Sequence, residues 1–302
     1  MNWWKNLKGS VKKQEPLKKH TSFRIGGPAR FFVEPKDSDD LKALIVSLKK
    51  HTIPFSVIGG GSNLLVSDKG VERVVISLSS PAFKELDFQA GVLDAGAGRW
   101  LGEIVMAAKK RGFSGLEFLS GIPGTLGGAL VMNAGISKKS SFDCRAAINI
   151  GDLVENVTVM SYNGSLKVVS KEDITFGYRR SSLSKYIVLG ARLALREKDA
   201  REISRIMRHY RDYRRQTQDL SFPSAGCVFK NPQSYSAGQL IDSCGLKGEH
   251  IRDAYISGKH ANFLLNRGNA KASDVLALMG LVKSAVKKKY KLTLQPEIKI
   301  WQ

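Results

Sequence analysis

Ile58-Gly-Gly-Gly-Ser-Asn63 begins with the last of the strand-like residues 55–58 and continues into three glycines. The GxGxxG fingerprint of Rossmann folds is absent, because Leu64 stands where its third glycine would be. A phosphate loop ending in Gly-Lys-Ser/Thr is also missing. The N–H groups of three successive glycines can still approach a pyrophosphate without obstruction, and Ser62 and Asn63 can add donors. Taken alone, the stretch is also typical of a tight turn.

A second glycine-rich stretch lies further along the chain. Gly121-Ile-Pro-Gly-Thr-Leu-Gly-Gly-Ala129 continues into Val131-Met-Asn-Ala-Gly135. Glycine removes side chains there over a span long enough to lie along an extended ligand. Two such loops predict a large phosphate-bearing cofactor. Because neither loop fits a Rossmann geometry, a different flavin or nucleotide fold is expected.

Helix and strand patterns alternate along the whole chain. Asn163-Gly164 indicates a hairpin, and Ser38 and Ser273 are the expected N-caps of two helices. Apolar residues at helical spacing predict helices at 38–50, 100–111, 201–215, 237–244 and 273–290. Short apolar runs predict strands at 29–34, 55–58, 64–67, 74–77, 92–95, 153–160, 165–169, 187–195, 261–265 and 297–301. This alternation indicates an α+β fold.

The chain of 302 residues is strongly basic, with 48 Lys+Arg against 27 Asp+Glu and a net charge of +21. The basic residues concentrate in 1–20, 201–215 and 283–291, and in the last two segments the helical patterns predict solvated helix faces. Trp3, Trp4, Leu7 and Val11 could lie on an acidic membrane surface, but we expect a short helix packed on the body. The charge would steer an anionic small substrate such as a nucleotide. It also leaves a nucleic-acid-binding protein open as an alternative, although we recognise no such motif.

Composition also restricts the compartment. Cysteines 144, 227 and 244 show no paired spacing and no CxxC motif, which is typical of a reducing cytosol and gives no reason to predict a metal site. No secretory segment is recognisable at the N-terminus. The uncharged run 118–137 contains five glycines, Pro123 and Asn133, so we expect no membrane-spanning helix. With 42% hydrophobic residues, the chain can bury the cores of two or three domains.

Six ordered motifs carry a resemblance to a known family. They are His20-Thr-Ser-Phe-Arg-Ile-Gly-Gly-Pro-Ala29, Ile58-Gly-Gly-Gly-Ser-Asn-Leu-Leu65, Gly121-Ile-Pro-Gly-Thr-Leu-Gly-Gly128, Tyr178-Arg179, Pro223-Ser-Ala-Gly-Cys-Val-Phe-Lys-Asn-Pro232 and Pro296-Glu297. Together they resemble the bacterial UDP-N-acetylenolpyruvoylglucosamine reductases over residues 20–300. The 70 positions from Cys227 to Glu297 are similar to the spacing in the family's second, shorter type.

The resemblance implies a vanillyl-alcohol-oxidase-type FAD-binding fold of two small subdomains plus a C-terminal α+β substrate domain. The expected boundaries are a basic extension at 1–19, FAD-binding subdomains at 20–85 and 86–197, and a substrate-binding domain at 198–302. The implied contacts with FAD lie in the two glycine-rich stretches, at Gly59, Gly60, Gly61, Ser62, Asn63, Gly121, Ile122, Pro123, Gly124, Thr125, Gly127, Gly128 and Asn133.

The implied activity is that of an FAD-dependent oxidoreductase with NADPH as co-substrate. In this family NADPH reduces FAD and leaves, and flavin N5 then passes hydride to C3 of UDP-N-acetylglucosamine-enolpyruvate. Protonation at C2 gives UDP-N-acetylmuramate. This reaction belongs to peptidoglycan precursor synthesis, and hence to cell-wall biogenesis, cell shape and cell division, in the bacterial cytoplasm. Its partners would be small molecules, with no nucleic acid expected.

The motif matches also imply residue roles. Arg179 would bind the substrate carboxylate, because a guanidinium fork suits a planar anion, and Glu297 would help to polarise or protonate the enolate. Cys227 stands where the family usually has a serine, and a thiol gives up a proton more readily than an alkyl hydroxyl. We therefore expect Cys227 to be the proton donor, with a non-catalytic cysteine and a proton from water as the alternative. The residues expected to contact substrate are Tyr178, Lys230 and Asn231.

The chain departs from the family at two further places, namely after Gly135 and at Thr217-Gln218-Asp219, and His260 is left out of the catalytic set. A competing enzyme class is another FAD oxidoreductase of the same fold that uses oxygen and a sugar or alcohol. The set of Tyr178-Arg179, Cys227 and Glu297, in this order, favours the reductase.

Overall fold

The computed structural model describes residues 3–137, 140–142 and 146–302, so Cys144 and part of the segment after Gly135 lie outside the described residues. The α-helices of the described residues are α1 (Ser38–Lys50), α2 (Leu101–Lys110), α3 (Leu126–Met132), α4 (Ala200–Thr217), α5 (Ala237–Ser243) and α6 (Ala272–Tyr290). The strands are β1 (Ser10–Pro16), β2 (Pro28–Glu34), β3 (Phe55–Ile58), β4 (Leu64–Val66), β5 (Val71–Ser77), β6 (Leu86–Gln89), β7 (Val92–Gly96), β8 (Phe113–Ser114), β9 (Gly135–Ile136), β10 (Ile148–Asn149), β11 (Val154–Met160), β12 (Leu166–Ser170), β13 (Phe176–Gly177), β14 (Arg180–Ser181), β15 (Ile187–Ala194), β16 (Arg196–Glu197), β17 (Ser224–Cys227), β18 (His250–Ile251), β19 (Ala254–Ile256), β20 (Phe263–Asn266) and β21 (Lys299–Trp301).

The chain divides into two compact units. Unit 1 comprises Met1–Lys13, Phe31–Gly60 and Arg73–Arg214, and unit 2 comprises Gln14–Arg30, Gly61–Glu72 and Arg215–Gln302. Each unit has its own cluster of buried apolar residues. Burying apolar side chains is the main favourable term in folding, so each unit has a core of its own.

Unit 1 is built on an antiparallel five-stranded sheet in the order β12-β11-β15-β7-β6. The predicted hairpin at Asn163-Gly164 joins β11 to β12, and Gly164 has a φ of +88° that favours glycine. A four-stranded sheet has the order β1-β2-β5-β3, with β3 and β5 parallel. Inward-facing residues such as Val157, Val159 and Leu193 alternate with more exposed ones and are fully buried.

The helices of unit 1 are amphipathic, as their spacing predicted. In α1, Leu41, Leu44, Ile45 and Leu48 are buried in the core. In α4 the buried residues are Ile203, Met207 and Tyr210, while Arg201, Arg205, Arg208 and Arg211 are exposed. The arginine-rich segment is therefore a solvated helix face.

The N-terminal segment differs from its prediction. Residues 3–9 form turns and residues 10–16 are strand β1, so the expected short helix is wrong. Trp3 is only 8% exposed and packs in the core of unit 1, which confirms that the segment lies on the body. The sequence of β1, SVKKQEP, lacks the apolar alternation that would have indicated a strand.

Hydrogen bonds to one carboxylate hold β1 in place. Ser10 Oγ and Lys12 Nζ each donate to Glu34 at 2.9 Å, and Ser79 Oγ donates to its other oxygen. Burial acts to raise the pKa of Glu34, but the hydrogen bonds from Ser79, Lys12 and Ser10 outweigh it and lower the pKa to about 2. These bonds stabilise the fold above pH 4.5, the ordinary value, and their contribution is lost as the pH falls towards 2.

Unit 2 contains an antiparallel four-stranded sheet in the order β17-β20-β19-β18 and a parallel pair of β21 with β4. Helix α6 packs its stripe of Val275, Met279, Val282 and Val286 into the core. Leu278 is buried beside them, whereas Leu276 is only partly buried.

The predicted N-cap of α6 is wrong. The helix begins at Ala272, and Asp68 accepts hydrogen bonds from the N–H groups of Ala272 at 2.7 Å and Ser273 at 3.0 Å. Burial acts to raise the pKa of Asp68, but the N–H donors of Ser273 and Ala272 outweigh it and hold the pKa below its usual value. A cap supplied from 204 residues away leaves no local sequence signal.

No helix in the part of the chain that the structure describes is long and apolar enough to cross a membrane. The same residues contain no group of three His, Cys, Asp or Glu side chains placed to hold a metal ion.

The cap of α1 provides a test of the fold. Asp37, not the expected Ser38, is the N-cap, and its carboxylate accepts from the N–H of Asp40 at 2.9 Å. We expect Asp37→Ala to lower the free energy of unfolding by about 1 kcal/mol. Ser38→Ala, the matched control one residue along, is expected to change it by less than about 0.5 kcal/mol. Urea denaturation of both variants measures the difference, and equal losses would contradict the assignment of the cap.

Candidate active site

The two glycine-rich stretches meet in unit 1 at backbone contact distance. A Cβ on Gly59 would lie 2.6 Å from Thr125 Oγ1. A Cβ on Gly60 would lie 2.7 Å from Gly124 Cα and 2.8 Å from the indole of Trp100. We call residues 59–63 loop 1 and residues 121–128 loop 2. Only glycine permits so close an approach, so the contact between the loops has a steric cause.

Loop 2 is held by the segment that leads into α2. The N–H of Leu101 donates to the carbonyl oxygen of Gly124 at 3.0 Å, and the N–H of Leu126 donates to that of Arg99 at 2.9 Å. Trp100 and Thr125 form an antiparallel bridge. Backbone hydrogen bonds therefore fix the register of loop 2 along residues 97–101.

The loops present hydrogen-bond donors. Among the residues described, we find no acceptor for the backbone N–H groups of Gly59, Gly60 and Gly128. Gly59 and Gly128 are exposed. Glycine-rich backbone with N–H groups that have no acceptor within the protein is suited to phosphate oxygens. The donor set therefore fits a cofactor that contains a pyrophosphate.

Other residues help to hold loop 2 in position and are not assigned as hydrogen-bond donors to a ligand. The guanidinium of Arg214 on α4 donates to the carbonyl oxygen of Gly121. Thr125 and Gly124 are buried, and Ile122 packs partly into the core. Pro123 is exposed, and Gly127 donates its N–H to Ala97. The ends and the middle of loop 2 are thus anchored separately, and Arg214 is an anchor that the sequence patterns did not reveal.

Asn133 ends α3 in the left-handed conformation, with φ +45°. Its side chain is 6% exposed, accepts from the N–H of Gly151 and donates to the carbonyl oxygen of Gly177, both at 3.2 Å. The side-chain amide thus connects the end of α3 with the backbone at Gly151 and at Gly177. Its predicted contact with the cofactor stays a prediction.

Tyr178 and Arg179 form the two-residue turn between β13 and β14. Arg179 is half-buried and adopts φ +55°, a conformation that costs a non-glycine residue about 1–2 kcal/mol. Its Nη1 donates to the carbonyl oxygen of Gly135 at 3.2 Å, and its guanidinium lies 5.4 Å from the centre of the Tyr178 ring. The turn therefore holds a guanidinium in a defined place, next to an aromatic ring that is 53% exposed.

In unit 2, backbone pairing brings Cys227 and Glu297 onto neighbouring segments. Cys227 ends β17 opposite Phe263, after an irregularity at which Gly226 has φ +76°. The N–H of Glu297 donates to the carbonyl oxygen of Val228, the residue after Cys227, at 2.7 Å. Both side chains are half-buried. A thiol and a carboxyl group thus lie on adjacent, hydrogen-bonded backbone.

The second half of loop 1 belongs to the same unit. Gly61 has φ +58°, and a Cβ there would lie 2.0 Å from the carbonyl oxygen of His20. Asn63 Nδ2 donates to the carbonyl oxygen of Glu297 at 3.2 Å, and its own carbonyl oxygen accepts from Lys299 at 2.9 Å. Ser62 is half-buried. Asn63 therefore ties the end of loop 1 to the segment that bears Glu297.

Lys230 and Asn231 follow directly on the Cys227 segment. The N–H of Lys230 donates to Gln295 at 2.9 Å, and Asn231 Oδ1 accepts from the N–H of Ala237 at the start of α5. Asn262, 2% exposed, bonds both the N–H and the carbonyl oxygen of Phe229. Sequence patterns gave no sign of Asn262, because an asparagine that bonds a distant backbone has no local signature.

His260, left out of the catalytic set, has a structural environment. Its Nδ1 accepts from the N–H of Asn262 at 3.3 Å, and its ring lies 4.8 Å from that of Phe263. Burial lowers the pKa of His260 below its usual value, because it disfavours the charged imidazolium. The ring thus bonds the backbone of Asn262, and its exclusion from the catalytic set stays a prediction.

Two glycine loops with N–H groups that have no acceptor among the described residues, on an α+β fold, are typical of a protein that binds a phosphate-bearing cofactor, and the comparisons identify that cofactor as a flavin. Residues 29–170 match the family model described as FAD binding domain, and residues 217–301 match the model described as UDP-N-acetylenolpyruvoylglucosamine reductase, C-terminal domain. The predicted fold class is thereby confirmed.

Whole-chain relatives name the family. The UDP-N-acetylenolpyruvoylglucosamine reductase of Clostridioides difficile (strain 630) is 41% identical over 295 residues, which are 97% of this chain and 94% of the relative. That of Caldanaerobacter subterraneus subsp. tengcongensis is 42% identical over 294 residues, with the same coverage. The crystal structure of the reductase from Thermus caldophilus is 36% identical, has a TM-score of 0.81 and covers 98% of this chain and 100% of its own. The chain belongs to the UDP-N-acetylenolpyruvoylglucosamine reductase family.

The contact between the loops gives a sharp test. Gly60→Ala places a Cβ 2.7 Å from the backbone of Gly124, which must separate the loops. Overpacking costs about 1–3 kcal/mol, so the affinity of the apoprotein for FAD should fall about 5- to 150-fold. The control is Gly102→Ala in α2, where no heavy atom lies within 4 Å. It should leave FAD affinity unchanged and raise stability by up to about 1 kcal/mol. FAD titration that shows equal affinity for both variants would refute the steric assignment.

Proposed function

We propose that the protein catalyses the NADPH-dependent reduction of UDP-N-acetylglucosamine-enolpyruvate to UDP-N-acetylmuramate, with FAD as its cofactor. The observation that carries this proposal is the backbone bond between Glu297 and Val228, which places the two expected proton-handling side chains, Cys227 and Glu297, on adjacent segments. Family membership over nearly the whole chain supports it. The cytoplasm of a bacterium is the compartment in which we expect the reaction.

FAD would be held by the backbone N–H groups of Gly59, Gly60 and Gly128, with Thr125 packed against Gly59. When bound, it would supply the transfer of hydride from NADPH to the substrate. The protein would bind the cofactor through backbone groups. The closely packed glycines carry no side chains that would block this contact.

Arg179 is the residue that we assign to the substrate carboxylate. Negative charge accumulates next to that carboxylate when hydride adds to the enol ether, and a guanidinium is charged at every physiological pH. The left-handed turn and the bond to Gly135 fix its position before the substrate arrives. A cation already in place stabilises developing charge without reorganisation during the reaction.

Cys227 and Glu297 are assigned to the proton that C2 receives. A thiol has an ordinary pKa of about 8.5, far closer to the working pH than that of an alkyl hydroxyl, and general acids work best near that pH. Glu297, on the paired segment, would assist in polarising the enolate. Because both residues lie on hydrogen-bonded backbone, neither depends on a mobile loop for its position.

The remaining substrate contacts are assigned to Lys230, Tyr178 and Asn231. The ammonium group of Lys230 suits the diphosphate of the substrate or the phosphates of NADPH. The exposed ring of Tyr178 and the amide of Asn231 suit sugar or base groups. The net charge of +21 favours the approach of both anionic reactants.

A spectroscopic experiment tests the function directly. The visible spectrum of the purified protein is recorded without oxygen, NADPH is added, and UDP-N-acetylglucosamine-enolpyruvate follows. We expect flavin absorbance that NADPH bleaches and the enolpyruvyl substrate restores. Recovery only on admission of air would point to an oxidase, and a colourless protein that takes up no FAD would reject the flavoprotein assignment.

The role of Cys227 is tested separately. In Cys227→Ala we expect bleaching by NADPH at the wild-type rate, while reoxidation by the enolpyruvyl substrate slows about 10²- to 10⁴-fold because the general acid is lost. Cys227→Ser should retain substantial activity, and Cys244→Ala, a half-buried thiol at the end of α5, should behave as wild type. Stopped-flow measurement of the two half-reactions separates them. Wild-type turnover by Cys227→Ala would show that water supplies the proton.

A further inference from the structure

Trp100 stands out beside the two glycine loops, although no motif and no step of the proposed reaction uses it. It directly precedes α2, and its side chain is 44% exposed. Large aromatic side chains bury much apolar area when they pack. A large aromatic side chain that stays nearly half exposed beside a binding site is therefore unusual.

The indole of Trp100 lies against loop 1. A Cβ on Gly60 would be 2.8 Å from its Cζ3 and 3.1 Å from its Cη2. At those distances the ring closely approaches the backbone of Gly60. Trp100 therefore packs against Gly60, whose N–H is one of the donors assigned to the cofactor.

The backbone of Trp100 is bonded to loop 2. It forms the bridge with Thr125, and the N–H of the next residue, Leu101, donates to Gly124. Its own carbonyl oxygen accepts from Glu103 and Ile104 in the first turn of α2. One residue thus contacts loop 1 through its ring and loop 2 through its backbone, and it is itself anchored on a helix.

We propose that Trp100 is a positioning residue for FAD: its indole sets the spacing between Gly60 and loop 2, and so the placement of the N–H groups that both loops present. This inference rests on the proposed function, because it concerns the same cofactor. The ring need not touch FAD; it acts through the backbone of Gly60. Removing it leaves the hydrogen bonds of loop 2 in place and takes away the support of loop 1.

The test compares Trp100→Ala, Trp100→Phe and wild type as apoproteins. FAD affinity is measured by titration, and thermal unfolding is recorded before FAD is added. We expect Trp100→Ala to bind FAD about 10- to 100-fold more weakly while the unfolding temperature of its apoprotein stays within about 2 °C of wild type. Trp100→Phe, which keeps an aromatic ring at the site, should recover most of the affinity.

Met106→Ala is the matched control, since Met106 is 53% exposed and lies on the helix that Trp100 directly precedes. It should bind FAD as wild type does. Wild-type affinity in Trp100→Ala, or a loss that Phe does not recover, would overturn the role of Trp100 alone. A loss of affinity matched by a large drop in the unfolding temperature would show a general structural role and also overturn it. Failure of wild type to bind FAD would instead overturn the proposed function.

Discussion

Gly59 and Gly60 approach loop 2 so closely that a Cβ on Gly59 would lie 2.6 Å from Thr125 Oγ1 and one on Gly60 would lie 2.7 Å from Gly124 Cα. Most of what we infer about the site depends on this approach. A Cβ at either glycine would separate the loops, and the N–H groups of the two stretches could no longer serve one ligand. The absence of side chains is thus the functional property here. It explains why glycine recurs in the two stretches although neither follows the Rossmann spacing.

In unit 2 as well, contacts between backbone segments set the geometry, because Cys227 and Glu297 lie on segments that are hydrogen-bonded to each other. Cys227 ends a strand and Glu297 is bonded to the residue after it, so the separation of the two segments is set by a hydrogen bond of 2.7 Å. Asn63 and Asn262 bond the same region from two other segments. Side chains placed on such a scaffold vary less in position than side chains on loops, and catalysis depends on that precision.

Patterns with a local cause were predictable from the sequence. The stripes of α1, α4 and α6 and the hairpin at Asn163-Gly164 appear where periodicity and turn chemistry place them. Three other features were missed, one because its cause lies far away in the chain and two because the local sequence gives a weak signal. Asp68 caps a helix 204 residues away, β1 lacks an apolar alternation, and α3 contains two glycines that each cost a helix about 1 kcal/mol. The order of motifs predicted the candidate residues, but not that Asn133 bonds two backbone segments, nor that Trp100 lies between the loops.

The charge of the protein and the geometry of its site act over different distances. A net charge of +21 attracts anions in general, but at physiological salt the field of exposed charges falls off within about 8 Å. The arginine face of α4 can speed the approach of any anion that comes within this distance, and it does not select between a dinucleotide and a UDP-sugar. Selection requires groups held at hydrogen-bond distance. In the proposed function Arg179 has this role, and its guanidinium bonds Gly135 from a turn in the left-handed conformation. The strain in this turn is consistent with a cation whose position matters more than its contribution to stability.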